Sequence, residues 1–148
     1  MERLTDVLAR LISEEGGLFA QVFSVEDTTG IQHHFNATKG MRIARESGDL
    51  RMVSLVESGI TPEAVREGYT DLDEAYAMTT DTSQPVLFVP HNGKDLCIDG
   101  WHRLYRAATI GQEEVPAYFL TPEQAETIKI LTLPPEQGFD WGQRRKAS

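Results

Sequence analysis

The sequence predicts an α+β domain, on three observations. Segments with apolar residues at helical spacing and short apolar runs of strand length follow one another along most of the chain. Turn-forming residues divide the strand-like runs into two hairpins. The 148 residues, 40% hydrophobic and 25% charged, have the make-up of one ordinary globular domain.

Residues 3–15 carry Leu4, Val7, Leu8, Leu11 and Ile12 on one helical face, and Gly16-Gly17 ends that helix. From Leu18 to Phe35 the pattern changes to Phe19, Val22, Phe23 and Val25, then Asp27-Thr28-Thr29-Gly30, then Ile31 and Phe35, which predicts two strands around a turn. A helix is expected over 37–46 and a strand from Arg51 to Val56. Thr61-Pro62-Glu63 opens another helix, with a capping hydroxyl and a proline in the first turn. A short helix over Asp71 to Met78 follows. Pro85 to Val89 and Leu96 to Ile98 flank His91-Asn92-Gly93-Lys94 and predict the second hairpin. Trp101 to Ile110 is a helix with Leu104, Ala107 and Ala108 inward and Gly111 at its end. Val115 to Leu120 is a strand, and Thr121 caps a last helix over Pro122 to Leu131. The expected organisation is one domain over 1–133, with its core at about 49–131 and an N-terminal elaboration over 1–48, followed by a flexible tail over 134–148.

Charge narrows the function. Lys and Arg number 14 against 23 Asp and Glu, a net −9, so nucleic-acid binding by bulk charge is disfavoured. Arg144-Arg145-Lys146 is too short to reverse that. Nine acidic residues against Arg51 and Arg66 between Glu46 and Asp81 suit a solvated face. No apolar run has the length of a membrane span, and the start of the chain lacks the layout of a secretory signal. Cys97, the one cysteine, cannot form an internal disulfide and fits a reducing compartment, so a cytoplasmic location is expected. On a buried strand Cys97 is expected to be an inert apolar residue. His33-His34 is a poor metal site, because adjacent residues of a strand face opposite ways.

The segment with chemistry is Leu96-Cys97-Ile98-Asp99-Gly100-Trp101-His102-Arg103-Leu104-Tyr105-Arg106, a buried strand running through Asp-Gly into a helix. The first amides of a helix lack internal partners and its N-terminus carries partial positive charge, which together attract an anion. Gly100 lets a ligand approach the backbone. His102, Arg103 and Arg106 stand at the unfavourable end of the dipole for cations, so a negative group should compensate them. Their spacings of three and four allow at least two to converge, and a polyphosphate fits. The alternative is surface pairing of Arg103 and Arg106 with Asp99, Glu113 or Glu114. Asp99 stands where a helix cap is expected, with a metal-ligand or base role as its alternative. Trp101 is expected to pack against the sheet, or else to stack on a bound base.

Ile98-Asp99-Gly100-Trp101-His102-Arg103, then Ala107-Ala108, Gly111 and Val115-Pro116-Ala117, with Gln84-Pro85-Val86 before them, resemble the nucleotide-binding core of the ParB/sulfiredoxin superfamily. The order over residues 71–120 agrees with that core, whereas 1–48 resemble nothing in it. The resemblance implies a mixed sheet with packed helices, to which the N-terminal helix and hairpin are an extension. It implies that Gly100, Trp101, His102, Arg103 and Arg106 hold the phosphates of ATP, CTP or ADP, with Mg2+. Sulfiredoxin has its catalytic cysteine where this chain has Trp101, so sulfinic acid reduction is not expected. A complete ParB clamp is not expected either, since the 28 residues after Leu120 leave no room for its DNA-binding module. The Asp-Gly-x-His-Arg form is most similar to the superfamily's amino-acid kinases, which use an acidic base after the first core strand. Glu63 stands at a comparable place, and Asp99 is the other candidate; either carboxylate could take a hydroxyl proton or hold magnesium. For Glu63 the alternative is a first-turn glutamate complementing the helix dipole.

The implied function is nucleotide binding, with phosphoryl transfer or NTP hydrolysis onto an unidentified small-molecule or protein acceptor. Two rivals are a non-enzymatic sensing or docking module of a plasmid, phage or defence system, and a ParB-like nuclease. Oligomeric state is not legible in the sequence.

Overall fold

A computed structural model describes residues 21–130 and the backbone of residues 143–146. The helix expected over 3–15 lies outside the described residues. Strands β1 (Val22–Glu26) and β2 (Gln32–Asn36) pair antiparallel around the Asp27–Gly30 turn. The turn is held by Asp27, whose Oδ1 accepts from the amides of Thr29 and Ile31. Asn36 then caps helix α1 (Ala37–Ser47) by accepting from the Lys39 amide, and Gly48 ends it in the left-handed region.

Strand β3 (Leu50–Ser54) leads through a turn to helix α2 (Pro62–Gly68), capped by Thr61 as its sequence predicts. Helix α3 (Glu74–Ala77) is shorter than the expected 71–78, because Asp73 caps it by accepting from the Tyr76 amide. Strands β4 (Val86–His91) and β5 (Lys94–Asp99) form the second hairpin. Helix α4 (Trp101–Thr109), strand β6 (Glu114–Phe119) and helix α5 (Pro122–Ile128) follow. Thr121 and Gln124 satisfy each other's backbone amides at the start of α5.

The main sheet has the order β3-β6-β4-β5. It is mixed, since β4 and β6 run parallel whereas the β3–β6 and β4–β5 pairs are antiparallel. Leu87 and Phe88, adjacent on β4, divide its two faces. Leu87 packs with Gly40, Leu120 and Ile128 on the side of α1 and α5. Phe88 faces Val65, Trp101 and Leu104 on the side of α2 and α4. The fold is therefore α+β, as expected, with helices on both faces of a mixed sheet.

The smaller sheet differs from expectation. Its order is β2-β1-β7, where β7 (Gln143–Lys146) runs parallel to β1. Four residues of the segment expected as a tail thus form an edge strand, because β1 has an edge to which a backbone can add. The segment after α5 is tied to the smaller sheet where Ile130 donates its amide to the carbonyl of His34 on β2.

Candidate functional site

The strand-to-helix junction is built from three neighbouring residues with different tasks. Gly100 is the N-cap of α4 and holds φ 104° and ψ 17°, a left-handed conformation that glycine alone adopts without strain. A Cβ at this position would come within 2.5 Å of Val86 Cγ1, so the glycine serves a close approach to β4. No side chain caps the helix, which corrects the expected capping role of Asp99. The left-handed turn carries the helix start away from Asp99, whose carboxylate stays close enough to the adjacent Gly100 amide for it to favour the charged form.

Asp99, Gly100, Trp101, His102 and Arg103 line one cavity of about 280 Å³. Tyr69, Tyr76, Thr80 and Gln21 complete its wall. Trp101 is buried, as its packing role requires. Its indole stacks on Tyr69 at 5.4 Å with 4° between the planes, and Nε1 donates to the Cys97 carbonyl at 2.9 Å. Burial pushes the Asp99 carboxyl above the usual carboxylate range, against the pull of Arg103, Arg45 and the Gly100 amide.

The three expected cations do not act alike. Arg103 lines the cavity, with Nη2 donating to the Pro85 carbonyl at 2.9 Å and lying 3.8 Å from Asp99 Oδ2. Its Nε is buried and meets no acceptor among the described residues. His102 accepts at Nε2 from the Asp73 amide at 3.1 Å, which needs the neutral ring with the proton on Nδ1. Burial also pushes its pKa down. Tyr69 and Tyr76 meet it edge-on at 5.5 and 5.0 Å. His102 is thus a neutral polar wall, not a cation facing phosphate.

Arg106 does not line this cavity. One turn further along α4, it faces the loop before β4 and donates Nη1 to the Thr80 carbonyl, close to the charge of Asp81. Since Thr80 lines the cavity, Arg106 is a positioning residue that fixes one wall. Neither arginine pairs with Glu113 or Glu114; the Asp99 contact alone survives of that alternative. Glu63 lies in the first turn of α2 on the exposed surface and does not line the cavity, so it has the dipole position without the proximity.

Tyr69, Tyr76, Thr80 and Gln21 are the residues sequence reasoning passed over. Each reaches the junction from a separate segment, and only a long-range contact brings them together. Gln21 shows that the N-terminal elaboration supplies part of the wall. His33 and His34 do face apart, Nε2 of the first donating to Asp27 Oδ2 and Nδ1 of the second sharing a hydrogen bond with Ser24 Oγ. Among the described residues, no group of three or more His, Cys, Asp or Glu side chains could hold a metal ion, and no helix is long and apolar enough to cross a membrane. No family model matches the chain, and neither a curated protein nor a solved structure matches it.

Proposed function

We propose that this chain is a nucleotide-binding protein of the ParB/sulfiredoxin type, whose cavity at residues 99–103 takes the phosphate end of a nucleoside di- or triphosphate. The observation that carries the reading is Arg103. Its guanidinium-bearing side chain, 24% exposed, lines a polar cavity at a helix N-terminus. A phosphate oxygen in that cavity meets both the arginine and the first amides of α4.

A cavity of about 280 Å³ lies at the lower edge of the roughly 300–1,000 Å³ range for small-molecule sites. That size suits phosphates with part of a sugar, leaving the base at the mouth against Tyr76, which is 56% exposed. Asp99 is the carboxylate of the cavity. Its raised proton affinity equips it to take a hydroxyl proton, and one carboxylate with phosphate oxygens and waters is an ordinary Mg2+ environment. Magnesium would therefore enter with its nucleotide. Transfer of a phosphoryl group is the activity this pairing supports, with a small-molecule or protein hydroxyl as acceptor.

Calorimetric titration with ATP, CTP and ADP in Mg2+ tests the reading beside Arg103→Ala. At least one nucleotide is expected to bind wild type, and the variant to lose at least about tenfold in affinity, the worth of a charge-assisted hydrogen bond. Binding unchanged by Arg103→Ala, or no binding by any of the three, overturns it.

A further inference from the structure

We propose that a second cavity, on the opposite side of Trp101, binds a small flat aromatic molecule bearing a protonated amine. The cavity has a volume of about 380 Å³ and lies between the main sheet and helices α2 and α4. It does not depend on the phosphate reading, since of the residues at the first cavity it shares Trp101 alone.

Its walls set the ligand's shape. Phe88 and Phe119 stand side by side on adjacent strands, stacked at 5.2 Å with 11° between their planes. Trp101 and Val65 form the helical wall, and Gly59 and Ala64 leave the rim open. The aromatic walls favour a flat ring by stacking and apolar burial. Cys97 lies buried among the lining residues, and as a small apolar side chain it adds to that surface.

Charge sets the other end of the ligand. Among the described residues, Asp95 is the one charged side chain lining this cavity, and it is exposed at the mouth. The nearby cation, Arg51, lies over the Phe119 ring at 4.5 Å and is committed to Asp49, with Nε and Nη2 at 3.2 and 3.0 Å from its carboxylate oxygens. Asp95 also lies near enough to Arg51 to favour its charge, but Arg51 makes its hydrogen bonds to Asp49, so an amine at the mouth would meet the Asp95 carboxylate while its ring enters the apolar part.

The probe is 1-naphthylmethylamine, protonated at neutral pH, with 1-naphthoate as a ligand of similar shape and opposite charge. Titrated against the full chain by the probe's own fluorescence, the amine is expected to bind one site. The carboxylate should bind more weakly by about threefold or more, the scale of a solvent-facing ion pair. Asp95→Asn removes that difference. Ala64→Phe, at an exposed rim position, abolishes binding without lowering the melting temperature. Arg103→Ala leaves probe binding unchanged, which separates this site from the phosphate cavity. Equal binding of the two probes, binding that survives Ala64→Phe, or no binding at all overturns the proposal.

Discussion

Asp99 is held in two opposed ways, by burial that favours its neutral form and by Arg103, Arg45 and the Gly100 amide that favour its charge. Burial prevails. Folded Asp99 keeps its proton above the ordinary value of 3.8, so between that value and the folded one the native chain binds more protons than the unfolded chain. Its contribution to stability therefore falls as pH rises through that window. Asp99→Asn, which keeps an acceptor for the Gly100 amide, is expected to raise the melting temperature of the ligand-free protein at neutral pH and to remove turnover. A melting temperature that falls contradicts this account of the residue. His102 behaves with the opposite sign. Its folded pKa lies below the ordinary 6.5, so the unfolded chain takes the proton first, and stability is lost as pH falls below that value. Protonation also removes the acceptor of the Asp73 amide. His91 shifts the same way by burial, so the test is a comparison. Thermal melts from pH 7 to 5 should show a shallower loss in His102→Gln than in wild type.

At the scale of elements, the junction between β5 and α4 depends on a backbone conformation more than on any side chain. Gly100→Ala places a methyl group against Val86, which is fully buried and cannot retreat, in a left-handed conformation that resists it. Strain and overpacking together predict a loss of about 2–4 kcal/mol, read by denaturant unfolding; a loss under about 1 kcal/mol contradicts the account. Elements set by local chemistry were legible in the sequence. The Asp27–Gly30 turn, the Asn92-Gly93 turn and the threonine caps at 61 and 121 are decided by residues a few positions apart. What was not legible depends on distant pairing. Strand β7 exists because β1 offers it an edge, and nothing in Gln143–Lys146 announces that neighbour. The site divides likewise: that Asp99, Gly100, Trp101 and Arg103 share a cavity follows from their adjacency on one turn. That Arg106 turns to Thr80, and that the Asp73 amide donates to His102 Nε2, follow from a loop 20 to 30 positions away, which periodicity cannot place.

Across the whole molecule, Trp101 is the wall between two spaces of different chemistry. The polar one is bounded by Asp99, His102 and Arg103, and the apolar one by Phe88, Phe119 and Val65. The ring cannot move freely, stacked as it is on Tyr69 and bonded to the Cys97 carbonyl. A fixed divider lets each cavity keep its own polarity. The polar side carries the central claim, that the first turn of α4 and Arg103 together receive phosphate. The most direct measurement is a backbone amide shift map of the isotope-labelled chain on addition of inorganic pyrophosphate with Mg2+. The account predicts that Gly100, Trp101, His102 and Arg103 shift most and saturate together. Shifts confined to other parts of the surface, or no saturable shift in that turn, would contradict it.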